Sequence, residues 1–163
     1  MLSQSNDTSN RSLKGYCCRL QPVPPRDTRT GGVLESLVLP ALKQGGYNFR
    51  KQVPIGTRPG GRNHKIDVLA EDKRGRAYLV SMKWQQVGGT AEQKVPFEVI
   101  CLADIMTRYP DKFQAAYLVL GGIGWTLRDF YIGGGLKDYI TQIDLVTIID
   151  LEHFVAKANK GQL

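Results

Sequence analysis

Between positions 30 and 44 apolar side chains recur at Val33, Leu34, Leu37, Val38, Ala41 and Leu42. Steps of three and four place them on one face of an amphipathic helix, which Gly45-Gly46 stops. Pro40 lies inside it, where a proline kinks. The period then shortens to that of strands. Segments 47–53, 65–70 and 77–84 read as strands, the last two joined by a hairpin turn over 72–75, with a turn-rich basic loop at 56–63. Gly88-Gly89 breaks the chain. Thr90 opens a long helix, Gln93 completes a capping box three residues on, and Val95, Val99, Leu102, Ala103 and Met106 form one buried face. A buried strand over 114–120, a helix over 125–132, a strand over 146–149 and a terminal helix over 151–160 complete the order α-β-β-β-α-β-α-β-α. That order predicts an α/β domain, a mixed central sheet flanked by helices on both faces. No internal repeat interrupts it.

Composition changes the picture at one end. Residues 1–29 are polar, hold Pro22, Pro24 and Pro25, and set Arg11, Lys14, Arg19, Arg26 and Arg29 against Asp7 and Asp27. They read either as a flexible basic arm ordered on binding or as an unstructured leader without a role. The folded domain is expected over 30–163. Over all 163 residues the hydrophobic fraction is 42% and the charged fraction 23%, which excludes wholesale disorder. No apolar run reaches the roughly 18 to 20 residues of a membrane helix. The first ten residues have no apolar stretch that would make a secretory leader. Three cysteines, with Cys17 and Cys18 adjacent, make no disulfide framework, and a reducing cytoplasm is the expected compartment. The balance of 22 Lys plus Arg against 15 Asp plus Glu leaves +7. It suits a polyanion such as nucleic acid, or an anionic membrane surface.

Polar groups where a core strand should be apolar are the candidate chemistry. Asp67 lies between Ile66 and Val68, and Lys83 ends the strand that begins Ala77-Tyr78-Leu79-Val80. In a hairpin turning at 72–75 both fall near its open end. A carboxylate there can bind a divalent cation, and a lysine can position a water and stabilise charge on a phosphate. The same two residues would also make an ordinary ion pair at a sheet margin. Glu35, among the apolar residues of the first helix, is either a second carboxylate turned into the site or a first-turn glutamate favoured by the helix dipole. His64 is either a phosphate contact or a structural strand-edge residue. No P-loop and no Ser-His-Asp pattern is present.

A helix with Glu35, a strand with His64-Lys65-Ile66-Asp67, a strand with Ser81-Met82-Lys83 and then a long helix resembles the PD-(D/E)XK nuclease superfamily over roughly residues 30–120. The segment running from Ser81 to Glu98 is similar to small phage and bacterial enzymes of that superfamily, homing endonucleases among them. The resemblance implies a restriction-endonuclease-like fold with an α-β-β-β-α-β core. It implies a sequence-specific, Mg²⁺-dependent endonuclease (Mn²⁺ as the alternative ion) cutting double-stranded DNA in the cytoplasm of a bacterial or phage-infected cell. Asp67 and Glu35 would hold the metal, Lys83 would assist, Ser81 would be marginal and Gln93 would assist. Ile66 stands where the family places proline. Ser81 stands at the second carboxylate, two before the lysine, and a hydroxyl is a poor ligand for a hard cation. Either Glu35 and Asp67 suffice, or Glu92 or Gln93 reaches back from the next helix, or the site is inactive.

For DNA the sequence offers Arg50, Lys51, Arg58, Arg62 and Lys65, a stretch with no acid, then Lys73, Arg74 and Arg76 at the hairpin turn and Lys94 in the following helix. Cutting both strands implies at least a homodimer. The stretch 125–135 reads as interface, DNA contact or core. Rival functions are a restriction enzyme or Holliday-junction resolvase on the same fold, and a non-catalytic DNA-binding protein on a decayed one.

Overall fold

A computed structural model describes residues 29–163. The basic arm and the Cys17-Cys18 pair lie outside the described residues. Helix α1 (Arg29–Gln44) leads into three antiparallel strands, β1 (Asn48–Thr57), β2 (Asn63–Glu71) and β3 (Ala77–Trp84). Helix α2 (Ala91–Arg108) crosses to β4 (Ala115–Gly121), parallel to β3, and a short helix α3 (Arg128–Ile132) precedes β5 (Val146–Asp150), parallel to β4. Helix α4 (Leu151–Asn159) closes the chain. The five strands lie in the order β1-β2-β3-β4-β5. This is the expected α/β architecture, with every expected helix and strand present. The first strand runs further than its composition suggests, through Pro54 and Gly56 to Thr57, because a bulge between Pro54 and Gly56 absorbs both.

Both faces of the sheet are buried. Leu79, Leu118 and Leu120 turn toward α2, where Val95, Val99, Leu102 and Ile105 meet them. Tyr78, Val80, Tyr117 and Val119 turn the other way, onto Leu34, Val38 and Leu42 of α1 and Phe154 and Ala158 of α4. The strict alternation of β3 and β4 is what feeds two separate cores. Among the described residues no helix is long and apolar enough to cross a membrane.

Two expected helix features take a different form. Pro40 lies inside α1 and does not end it. Thr90 precedes α2 but makes no side-chain cap hydrogen bond, so the Thr90–Gln93 capping box does not form. The Ala91 N–H goes instead to Gln85 Oε1, at 3.0 Å. Glu92 Oε1 accepts from the backbone N–H groups of Thr126 and Leu127 and so ties the start of α2 to the start of α3. Pro96 removes the N–H that the Glu92 carbonyl would have received within the helix. The Tyr131 hydroxyl, on α3, donates to that carbonyl at 2.9 Å.

This substitution of a side-chain donor for a missing backbone donor is testable. Tyr131→Phe leaves the Glu92 carbonyl unpaired and should cost about 1–3 kcal/mol in urea denaturation. In a Pro96→Ala background the helix supplies its own N–H, and the same change should cost less than half as much.

Candidate active site

The site begins where β2 and β3 part. Their ladder runs from Glu71↔Ala77 to Val68↔Val80 and goes no further toward the open end. The next residue of β2 is Asp67, and its carboxylate fills the gap. Oδ2 accepts the Met82 N–H at 2.7 Å and lies 3.4 Å from Ser81 Oγ. On its other side β3 stays paired with β4 as far as Trp84↔Gly121, so Lys83 is carried on a supported strand.

A second irregularity aims the carboxylate. On β2, Ile66 packs toward α2 while Val68 packs toward α1 and α4. On β1, Phe49 and Val53 likewise fall on opposite faces. Residues two apart on a regular strand share a face. The alternation therefore slips at Gln52 and Asp67, the one pair missing between Lys51↔Val68 and Val53↔Ile66. Gln52 takes a left-handed backbone there, with φ 51°. Asp67 consequently turns into neither core. It lines a cavity of about 260 Å³ with Glu35, Gln52, Lys83, Lys94 and the apolar walls Leu34 and Trp84.

Glu35 sits on α1 at the cavity rim, paired with Lys51 Nζ at 2.9 Å. Lys83 Nζ donates to Ser81 Oγ at 2.9 Å and lies 3.7 Å from Glu98 Oε2. Glu98 is the residue that sequence reasoning missed. It is 5% exposed and belongs to the buried face of α2 between Val95 and Val99. Ser81 Oγ–H donates to its Oε1 at 2.9 Å, His64 Nε2 stands 3.4 Å from the same oxygen, and Arg58 Nη2 lies 3.5 Å from Oε2. Burial alone would raise this carboxyl. The His64 hydrogen bond, the Lys83 charge, the Ser81 hydroxyl and Arg58 outweigh it and bring the pKa down to about 2. The signal in the sequence was its position: a glutamate three residues after Val95, on the apolar stripe of a helix.

The structure thus brings Asp67, Lys83, Glu35, Ser81 and Lys94 together and separates others. The helix carboxylate that reaches back to Ser81 is Glu98, not Glu92, which is committed to the 126–127 backbone. Gln93 is exposed on α2 and does not line the cavity. His64 is wholly buried against Glu98, with Nδ1 unpartnered, and is not a surface phosphate contact. Of the expected DNA contacts, Arg58 faces Glu98 and Lys51 faces Glu35. Arg50, Arg62 and Lys65 are exposed. Lys73, Arg74 and Arg76 occupy the turn at the other end of β3, about 20 Å of strand from Lys83. Arg76 is paired there with Asp72 at 2.7 Å. In the 125–135 stretch Tyr131 is buried and Phe130 exposed.

Residues 26–162 match the PD-(D/E)XK nuclease superfamily domain, and the chain belongs to that superfamily. Among solved structures it is similar to a protein of unknown function, AF1548, with 12% identity over 74% of this chain and 58% of that one and a TM-score of 0.45. It is also similar to a repair endonuclease from Pyrococcus abyssi, with 12% identity over 80% of this chain and 47% of that one and a TM-score of 0.42. The chain spans about half the length of these structures. No curated protein matches it.

PD-(D/E)XK nucleases generally use divalent metals. Among the described residues no three His, Cys, Asp or Glu side chains converge as a metal-holding group. The cavity does offer two carboxylates, Asp67 and Glu35, on facing elements. Mg²⁺ is commonly held by one or two carboxylates with water and substrate phosphate completing the shell, and this all-oxygen set fits it.

The Glu98 cluster predicts an acid limb in stability. Its folded pKa, about 2, lies below the ordinary value of 4.5. The contribution is therefore complete above pH 4.5 and is lost as pH falls toward 2. Urea midpoints should drop over that window by an amount worth on the order of 3 kcal/mol. Glu98→Gln should flatten the slope.

Proposed function

We propose that this protein is a metal-dependent endonuclease that cuts double-stranded DNA at a specific sequence, of the homing type, working as at least a homodimer in the cytoplasm of a bacterial or phage-infected cell. The observation that carries the reading is the shared cavity: Asp67, Glu35 and Lys83 on its walls, built at the open end of the hairpin in a chain of this superfamily. Asp67 and Glu35 would hold Mg²⁺, or Mn²⁺ in its place. When bound, the ion neutralises charge on the scissile phosphate and favours an ionised attacking water.

The chain's own groups do the rest. Lys83 presents its ammonium to the phosphate oxygens, where charge grows as the water oxygen bonds to phosphorus and the ester P–O bond breaks. Ser81 and Glu98 hold that ammonium from behind, so Lys83 enters the reaction already oriented. Lys94, one turn into α2, adds a second cation for the backbone phosphate. Leu34 and Trp84 form apolar walls that limit water at the reacting centre. Two cuts, one in each strand, call for two copies of this single site.

Ser81 in place of a carboxylate favours a second reading, a DNA-binding protein that no longer cuts. One experiment separates the two. Wild type should nick and linearise plasmid with Mg²⁺ or Mn²⁺ and stop on chelation. Lys83→Ala should cut at least 100-fold more slowly while binding duplex within about threefold of wild type. Wild type that binds duplex tightly and cuts nothing with either ion would establish the binding protein. Mapped cuts placed symmetrically on a four-way junction would replace the homing role with resolution.

A further inference from the structure

Among the described residues lining the site, Gln52 is the non-glycine residue with a positive φ. A non-glycine residue at φ 51° is uncommon outside Asn, Asp and His, and it persists where its surroundings impose it. Gln52 lies inside β1, flanked on both sides by intact ladder pairs. No turn requires the conformation.

The conformation changes which way side chains point. Consecutive residues of a strand face opposite sides of the sheet. Here Lys51 and Gln52 are consecutive, yet Lys51 Nζ reaches Glu35 at 2.9 Å and Gln52 Nε2 reaches Asp67 Oδ1 at 3.2 Å. Both carboxylates line the same cavity, and Gln52 lines it with them. The Asp67 carboxylate is then held at both oxygens, Oδ1 by the Gln52 amide and Oδ2 by the Met82 N–H. Oδ1 keeps a further lone pair for a cation, while Oδ2 also has Ser81 Oγ at 3.4 Å.

We propose that Gln52 is a positioning residue for the divalent cation: its amide, delivered by the left-handed backbone, fixes Asp67 in the orientation that binds the metal. The inference rests on the reading that Asp67 holds that metal. Hydrogen bonds to ligating carboxylates commonly govern metal affinity 10- to 100-fold.

Glycine is the informative substitution, because it removes the amide and accepts the left-handed backbone without strain. The test uses the full chain, with Mn²⁺ alone as the probe. Free Mn²⁺ is counted by electron paramagnetic resonance, and melting temperature is read separately in chelator. Gln52→Gly should raise the Mn²⁺ dissociation constant 10- to 100-fold. Its melting temperature should be unchanged or up to about 4 °C higher. A purely structural glutamine would lose stability and affinity together, and that result overturns the proposal. So does Mn²⁺ binding in Gln52→Gly equal to that of wild type. Wild type that binds no Mn²⁺ and cuts no DNA instead overturns the metal-dependent nuclease reading, and this inference with it.

Discussion

The hydrogen bond from the Met82 N–H to the Asp67 carboxylate is the joint on which the rest of the site depends. A backbone N–H left behind by a parting ladder is costly unless something accepts it. At this joint the acceptor is a side chain of the neighbouring strand, so β2 and β3 can diverge without leaving a buried donor unpaired. The divergence opens the cavity, and the same contact fixes one oxygen of the carboxylate within it. Because β3 keeps its full pairing with β4 through Lys83 and Trp84, the opening is one-sided. The lysine rides on a rigid strand while the carboxylate faces the gap.

Beneath that gap lies a second polar layer, and its charge sign matters more than its stability. Glu98 is enclosed by Lys83, Arg58, His64 and Ser81. Removing charges from water is expensive, and such clusters are often no more stabilising than apolar packing of equal volume. What they provide is position. One carboxylate shared by two permanent cations leaves the layer with net positive charge. Ser81 and Glu98 therefore hold Lys83 in place without cancelling its charge. Gln52 belongs to the same economy of placement: a local conformational cost of about 1–3 kcal/mol is carried inside a strand whose ladder holds on both sides.

The fold was legible because its elements obey simple periods. The α1 stripe, the alternation of β3 and the apolar run of β4 each state their own structure. Asp67 and Lys83 were legible for the converse reason, as polar residues in strands that should be apolar. Glu98 was overlooked because Val95, Val99 and Leu102 complete a convincing apolar face without it, and the Thr90–Gln93 spacing offered a cap that the fold replaces with Gln85. Gln52 carried no signal at all. Nothing in its neighbours announces a left-handed backbone, which is imposed by the pairing of two strands distant in sequence. Pro96 pointed to a lost helix hydrogen bond but not to its repair by Tyr131, which lies 35 positions further along the chain.

The excess of positive charge takes on a narrower meaning once its members are placed. Arg58 and Lys51 are engaged by Glu98 and Glu35, and their charge is spent on holding the site's carboxylates. Lys73, Arg74 and Arg76 lie at the far end of the hairpin. What lines the cavity is Lys83 and Lys94, while Arg62 and Lys65 are exposed at the turn between β1 and β2. That turn is itself braced, the Arg58 N–H donating to the Arg62 carbonyl at 2.7 Å. A phosphodiester backbone extends well beyond one cavity, and two cations give only a modest electrostatic hold on it. The +7 balance is therefore not one contact surface: part of it is engaged by the site's own carboxylates, and part lies at the far turn.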